Sequence, residues 1–336
     1  MQPLGSSSGA GGRATPRQSS AASALSTATD RGATAGHAPS SPEKLKPAEW
    51  LVAFKRSFAG FMKDDCMGLA QQIAYSSLLA FFPAMAFLVG ALGLFHLFDD
   101  VKQLLDPIAP NGVIKFITSL QQDTQGGTSV AAFLIGFFGA VWAASGAMTS
   151  VIKALNKAYE QRETRPFWKV RGIAILLVVS SGIATAGIFL LIVVGGALGD
   201  AISKNAGFGG AFQWVWGIAR WPVAFCAILL FFGLVYYLAP NREQRSWKWI
   251  TPGSVVGGLL WLLLSGLFAL YVTFAGNYSK TYGTIASGVI LLLWLNYSAF
   301  ALLFGAELNA ELDRQADIRA AGGERAGLVK LARRGA

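Results

Sequence analysis

The sequence predicts an all-α, polytopic membrane protein with six transmembrane helices and both termini in the cytoplasm. Six apolar stretches are each close to or above the roughly 20 residues that a helix needs to cross a bilayer core. Of the 336 residues, 53% are hydrophobic and only 14% are charged, which fits one membrane domain better than two soluble domains. The stretches are residues 73–98, 130–152, 173–198, 214–238, 252–274 and 284–304.

Lysine and arginine alternate between the two sides of these stretches. From the N-terminus, the seven segments outside the stretches hold 8, 2, 6, 1, 3, 1 and 6 of the 28 cations, and Arg220 lies inside the fourth stretch. An excess of lysine and arginine marks the cytoplasmic side, so both termini are expected there. The net charge of +10 then reflects topology and contacts with anionic lipids. We therefore expect membrane lipids as partners and no nucleic acid.

Segments of different composition flank the apolar region. Residues 1–46 are rich in Gly, Ser, Ala, Thr and Pro, which predicts a disordered cytoplasmic tail. From Pro47 onwards, apolar side chains recur at helical spacing and cations take the other face. This pattern predicts an amphipathic interfacial helix, or alternatively a helix packed on the protein's own cytoplasmic face. The membrane domain would then cover residues 47–311, and residues 312–336 form a basic cytoplasmic tail.

The first apolar stretch carries a proline and a group of polar residues. Pro83 lies near its middle and lacks the backbone N–H, which predicts a helix break or kink there. Gln72, Tyr75 and Ser76 precede it in the half expected to face the cytoplasm. Polar side chains at that depth must face protein or water rather than lipid.

The first external connection, residues 99–129, is the longest. Two prolines interrupt it, and apolar residues from Val113 to Leu120 then follow a helical period. We expect a short amphipathic helix on the outer surface. The other external turns are short, so successive spans are predicted to be antiparallel neighbours.

Polar residues also follow one face of the second and of the sixth stretch. Both helices run from outside to inside, which places Lys153 and Glu307 at similar depth, where they are close enough in register to pair. The functional interpretation is a polar cavity open toward the cytoplasm; alternatively, Lys153 reaches the headgroups and Glu307 simply begins the tail. The candidate cavity residues are Gln72, Tyr75, Ser76, Ser145, Thr149, Lys153, Asn156, Asn296, Glu307 and Asn309.

Known catalytic patterns are not found in the sequence. The two histidines, His37 and His96, are far apart in the chain, and neither belongs to a pattern of a metal site or a Ser-His-Asp triad. Cys66 and Cys226 show no metal-ligand spacing and are expected to be too far apart for a disulfide. No phosphate-binding glycine loop occurs. We expect no enzymatic activity, no cofactor and no metal.

Several short runs together carry a family resemblance. They are Gln72-Ile-Ala-Tyr75, Ala154-Leu-Asn156-Lys-Ala-Tyr159, Pro252-Gly253 and Gly305-Ala306-Glu307-Leu308-Asn309. Over about residues 50–315 the chain resembles the YihY/virulence factor BrkB family of bacterial inner-membrane proteins. The resemblance implies a multi-pass protein of the bacterial inner membrane. Some members carry an older ribonuclease BN label, for which this sequence offers neither metal ligands nor a domain large enough to hold tRNA.

The sequence and the resemblance lead to three hypotheses. The first is a protein that moves a lipid-linked or amphipathic solute through the polar cavity, because intramembrane polar residues are functional candidates. The second is a non-catalytic structural or regulatory membrane component, in which the polar residues only hold helices together. The least favoured is a tRNA-processing ribonuclease, as in the older label.

Overall fold

The computed structural model describes residues 47–106, 111–124, 130–193, 195–196, 209–242, 250–274 and 284–334, with side chains of the last helix described as far as Gln315. Regular secondary structure in these ranges is helical throughout. The predicted tail 1–46 lies outside them. The helices are α1 Pro47–Lys63, α2 Cys66–Leu94, α3 Phe98–Leu105, α4 Asn111–Thr124, α5 Val130–Ala158, α6 Phe167–Val193, α7 Gly209–Leu238, α8 Pro252–Phe274 and α9 Thr284–Arg334.

Two units are distinguished by the contacts within the chain. One is Leu45–Gln315, which contains every contact discussed below, and the other joins Met1–Lys44 with Ala316–Ala336. Of the second unit, the structure describes the helical backbone at the end of α9. The domain boundaries drawn from the sequence, at residues 46 and 311, stay predictions.

Six helices are long and apolar enough to cross a membrane, which confirms the six predicted spans. The first begins at Cys66, before the predicted stretch, and ends at Leu94. Two residues later His96 adopts a positive φ of 56°, which does not continue a right-handed helix, and α3 then begins at Phe98. The spans are Cys66–Leu94, Phe133–Ala158, Phe167–Ile192, Phe212–Leu238, Pro252–Thr273 and Ile285–Gln315.

The helix is not broken at Pro83, where the sequence predicted a break. Pro83 lies inside α2, which is a continuous helix from Cys66 to Leu94. A proline removes a single N–H donor. Losing more backbone hydrogen bonds in an apolar environment costs several kilocalories per mole, so the rest of the helix keeps its bonds. Of the predicted break or kink, the break is wrong because Pro83 lies within an unbroken helix, and the kink stays a prediction.

Successive spans pack against one another along the chain. α2 packs on α5, α5 on α6, α6 on α7, and α7 on α8. α9 joins α7 through the Tyr236 hydroxyl, which donates to the Leu302 carbonyl at 2.8 Å. α8 approaches α9 so closely that a Cβ atom on Gly257 would lie 3.1 Å from the Ala301 carbonyl oxygen. Gly253 and Gly257, two small residues one turn apart, therefore allow the close packing of α8 on α9.

The two amphipathic segments predicted outside the spans are helical. One face of α1 packs against α9: Ala53 and Ser57 are buried, and the rings of Phe54 and Phe304 lie 5.3 Å apart. Phe58, on another face of α1, is 59% exposed. A position at the membrane interface therefore stays a prediction for α1. The segment predicted after residue 110 forms α4, which is joined to α3 by the Lys102 ammonium donating to Gln121 at 2.6 Å.

Candidate functional site

Three of the predicted polar residues are buried at one end of the membrane domain. We call it the Asn156 end; here α5 ends, α6 begins, α7 ends and α8 begins. Asn156, Glu307 and Asn309 are each no more than 6% exposed. Buried polar groups need hydrogen-bond partners, and each of the three has them from a different part of the chain.

Asn156, in the last turn of α5, joins two loops. Its Oδ1 accepts the backbone N–H of Asn241 at 2.7 Å, and its Nδ2 donates to Glu163 at 2.8 Å. Asn241 in turn donates its side-chain amide to the Arg162 carbonyl and the Thr164 hydroxyl, both at 2.8 Å. The side chain of Asn156 therefore fixes the loop after α5 to the loop after α7.

Glu163 and Arg165 form a two-pronged ion pair beside Asn156. Arg165 donates Nε to one carboxylate oxygen at 2.7 Å and Nη2 to the other at 2.6 Å. The guanidinium also donates to the carbonyls of Leu238 and Ala239, which satisfies acceptors left open at the end of α7. Hydrogen bonds from Arg165 hold the pKa of the Glu163 carboxyl below its usual value.

Asn309 on α9 supports the start of α8. Its Oδ1 accepts the Gly253 N–H at 2.8 Å, and its Nδ2 donates to the Thr251 hydroxyl at 2.9 Å. Thr251 and Ser254 also bond each other reciprocally, the hydroxyl of each accepting the backbone N–H of the other. This is the logic of a capping box, with Asn309 satisfying a further free N–H of the first turn.

Glu307 is buried among groups that do not neutralise it. The Cys66 thiol donates to Oε1 of Glu307 at 3.4 Å. The other carboxylate oxygen, Oε2, lies close to Gly60: a Cβ atom on residue 60 would be only 2.8 Å from it. Its electrostatic neighbours include Asp64, Glu160 and Glu311. Within the described residues no cation forms an ion pair with Glu307. A buried carboxyl without a cationic partner is costly and is therefore a functional candidate.

The structure does not pair Lys153 with Glu307, although the sequence placed them at similar depth. Lys153 is exposed, whereas Glu307 is 5% exposed and bonded to Cys66. The reason is local: the Lys153 side chain lies on an exposed part of the α5 surface, while Glu307 lies among buried residues of α9.

The other predicted cavity residues are not gathered with Glu307. Ser76 lies 3.2 Å from the Ser150 hydroxyl across the α2–α5 contact. Ser145 and Thr149 donate to carbonyls of their own helix, α5. The remaining three are exposed or half-buried: Gln72, Tyr75 and Asn296. The polar cavity open to the cytoplasm stays a prediction.

An apolar cavity of about 600 Å³ lies between α2 and α4, beyond the Pro83 turn. Its size falls within the range of roughly 300–1,000 Å³ that is typical of small-molecule sites. The large apolar lining residues recur at a spacing of one turn on both helices, which is the signal of this cavity in the sequence. The lining residues are Phe81, Met85, Ala86, Val89, Gly90, Phe116 and Leu120.

Arg171 is a residue whose environment the sequence did not predict. In the sequence it is one of six lysines and arginines between the second and third apolar stretches, which suggested only a role in setting the orientation of the protein in the membrane. In the structure its Nη2 donates to the Trp142 carbonyl at 2.6 Å, and its guanidinium lies 4.1 Å above the Trp142 ring. Among the described residues, no group of three or more His, Cys, Asp or Glu side chains is placed to hold a metal ion.

Comparison with known proteins gives one family and several relatives. The family model described as Virulence factor BrkB matches residues 57–327. The putative ribonuclease-like protein YfkH of Bacillus subtilis is 30% identical over 262 residues, which cover 78% of this chain and 95% of that protein. The UPF0761 membrane protein IL2447 of Idiomarina loihiensis is 27% identical over 292 residues, covering 80% and 96%. No solved structure matches the chain.

Proposed function

This chain belongs to the virulence factor BrkB family, and we propose that its six-helix membrane domain moves a lipid-linked or amphipathic solute. The observation that carries the proposal is the apolar cavity between α2 and α4. Lipid tails are as apolar as the cavity lining, so such a site gains little from hydrophobic transfer and selects its occupant by shape. That behaviour suits a molecule delivered from the bilayer itself.

The polar residues at the Asn156 end supply the second element of the proposal. A translocated amphipathic molecule has a polar head that must be solvated during movement, and buried Glu307 with its Cys66 contact offers a polar group within a span. We propose that the head group passes along the predicted polar residues of α5 and α9 while the apolar part stays in contact with the cavity and the bilayer.

Reconstitution tests the proposal directly. The purified full chain is placed in vesicles of phosphatidylethanolamine and phosphatidylglycerol, and the transfer of fluorescent lipid between leaflets is followed. Ala86→Phe fills the cavity and is expected to slow transfer several-fold. Ala186→Phe adds the same volume at an exposed alanine of α6 outside the cavity, and should leave the rate unchanged. No transfer by the folded wild-type protein, or equal slowing by both variants, would overturn the proposal.

We also propose a location in the bacterial inner membrane with both termini in the cytoplasm. The support is the excess of lysine and arginine in alternate connections. A cysteine added after Ala336 in a Cys66→Ser, Cys226→Ser background reports the side of the C-terminus. Labelling by a membrane-impermeant maleimide only after permeabilisation is the expected result, and labelling in intact spheroplasts would contradict it.

A structural or regulatory role is the second candidate, favoured by one observation. Asn156 and Asn309 use their side chains in bonds between segments of the protein, as residues that only stabilise packing do. The same reconstitution separates the candidates. Absence of lipid transfer together with normal folding would favour the structural role.

The name of the Bacillus relative supplies a third activity to test. Purified protein is incubated with tRNA and Mg²⁺ or Zn²⁺, and the RNA is examined by gel. We expect no cleavage above a mock purification from cells lacking the protein. Cleavage that follows the protein through purification would replace the transport proposal.

A further inference from the structure

The Arg171 guanidinium lies near the middle of a membrane-spanning helix. Arg171 is in the second turn of α6, but its Nη2 reaches the carbonyl of Trp142 on α5. Trp142 lies 12 residues after Val130 and 16 before Ala158, the two ends of α5. At a rise of 1.5 Å per residue, the guanidinium is about 18 Å from one helix end and about 24 Å from the other. The charge therefore lies beside the middle of α5, although the Cα atom of Arg171 is only about 6 Å from the start of α6.

No carboxylate neutralises this guanidinium among the described residues. Its Nε is buried and has no hydrogen-bond acceptor there. The carbonyl that receives Nη2 is shared, because the Ser145 hydroxyl also donates to the Trp142 oxygen at 3.0 Å. An arginine has five N–H donors, so this one has more donors than acceptors. Charged side chains within a membrane span are rare because they are costly, and they mark binding sites and pathways.

A glycine and an exposed tryptophan lie next to the Arg171 guanidinium. Gly146 lies beside it, since a Cβ atom there would be 3.7 Å from Nη1, which is van der Waals contact. Trp142 is 63% exposed, so the indole and the guanidinium stacked on it face the periphery of the helix bundle. A molecule in the bilayer therefore has access to both groups.

A second cation continues the same face of α5. Lys153 lies 11 residues after Trp142, which is close to three helical turns, or about 16 Å, along one face. It is exposed and forms no ion pair among the described residues. Thr149 lies between them on that face, with its hydroxyl bonded to its own helix. The polar face of α5 that the sequence predicted therefore has the Arg171 guanidinium beside its middle and Lys153 toward its C-terminal end.

We infer that Arg171, stacked on Trp142, binds the anionic head group of an amphipathic molecule within the membrane domain. The head group is a phosphate or carboxylate, because the planar guanidinium binds both in two-pronged fashion. The indole offers an apolar surface to the part of the molecule next to the head. Lys153 marks the direction in which the head group leaves. Where the ligand is the transported solute, this inference rests on the proposed function.

The test compares lipid binding by the full-length protein and by two variants. The probes are phosphatidylglycerol and phosphatidylcholine titrated into detergent-solubilised protein, with native mass spectrometry counting bound lipid. R171Q removes the charge, and K169Q removes an equal charge two residues earlier from an exposed position. Wild type and K169Q should prefer phosphatidylglycerol, and R171Q should bind it at least about tenfold more weakly, as expected for a lost charge-assisted hydrogen bond.

Each outcome decides the inference. Equal phosphatidylglycerol affinity in R171Q and wild type, or an equal loss in both variants, would overturn it. If R171Q does not fold, R171K replaces it: this variant keeps the charge but loses the planar fork, and wild-type affinity in it would also overturn the inference.

Two further arms identify the source of the anion and separate this site from transport. If inorganic phosphate raises the Tm of the wild type but not of R171Q, the site binds a free anion. If phosphate changes the Tm of neither protein, the site is assigned to a lipid head group. Transfer of neutral fluorescent lipid is measured separately. If the protein binds phosphatidylglycerol through Arg171 but transfers no lipid, the binding site is supported and the proposed function is contradicted.

Discussion

The thiol of Cys66 donates to Oε1 of Glu307 at 3.4 Å, joining the start of α2 to the middle of α9 across 241 residues of chain. Both side chains are buried, and Glu307 has no ion-pair partner among the described residues. A thiol is a weak donor, so this contact compensates little of the desolvation of a carboxyl group. The arrangement costs stability, and such costs are concentrated at functional positions.

Replacing Glu307 with Gln tests that cost. Glutamine keeps the shape and removes a negative charge from the neighbourhood of Asp64, Glu160 and Glu311. We expect E307Q to raise the free energy of unfolding by on the order of 1 kcal/mol at pH 8 while slowing lipid transfer. Denaturant unfolding and the vesicle assay measure the two effects.

Glu311 provides the control for this variant, because it already pairs with Arg56 at 3.3 Å. E311Q should change stability by less than about 1 kcal/mol, as is usual for pairs with an exposed partner. If E307Q destabilised the protein and left lipid transfer intact, Glu307 would be a structural residue.

Two glycines of α8 give a matched pair for helix packing. A Cβ on Gly253 would overlap the backbone carbonyl oxygen of Gly305, whereas a Cβ on Gly266 meets no atom within 4 Å. Backbone cannot move aside as a flexible side chain can, so G253A should destabilise by about 1–3 kcal/mol or more. G266A should be neutral or stabilising by up to about 1 kcal/mol, since alanine favours helix. Equal effects on thermal unfolding would contradict the close α8–α9 contact.

The sequence predicts the spans well because apolar length is a local property of the chain. Stretches such as 130–152 need no knowledge of their neighbours to be recognised, and α5 covers that stretch. Pro83 shows where a local rule fails: the rule describes the missing donor but not the apolar environment that keeps the remaining helix intact.

The side-chain contacts were beyond the sequence because they depend on which helices meet. Asn309 bonds Gly253 across 56 residues, a contact set by the α8–α9 packing. Arg171 looked like a topology cation, and only the position of α5 beside α6 turns its guanidinium onto Trp142. The sequence placed Lys153 and Glu307 at similar depth, which suggested pairing, but helix rotation decides which side chains touch.

Asn309 should stabilise the start of α8 through both the oxygen and the nitrogen of its side-chain amide. N309A removes the acceptor for the Gly253 N–H and the donor to Thr251, and should cost about 2–3 kcal/mol because buried groups lose partners. N309D retains an acceptor for Gly253, but it loses the donor and buries a negative charge at a position that is 6% exposed, so it should also destabilise the protein. Hydrogen exchange of the first turn of α8 measures the effect, and protection unchanged in N309A would show that the Thr251 and Ser254 cap suffices.

The Glu163–Arg165 pair predicts how stability responds to acid. Because Arg165 lowers the pKa of the Glu163 carboxyl in the folded protein, the folded state binds this proton less readily than the unfolded state, whose pKa is near 4.5. The contribution of the pair is fully present above that value and is lost as the pH falls through the lowered folded pKa.

E163Q should therefore be less stable than wild type by about 1–3 kcal/mol at pH 7, since hydrogen bonds to a charged partner are lost. The difference should shrink as the pH falls below about 4.5, because the unfolded wild type takes up the proton there and the folded protein does so only at its lower pKa. Thermal unfolding of both proteins from pH 7 to pH 3 measures this. E160Q, which breaks an exposed pair with Arg314 at 3.7 Å, serves as the control and should stay close to wild type throughout. A constant gap between E163Q and wild type across this range would mean that the pair contributes through packing rather than charge.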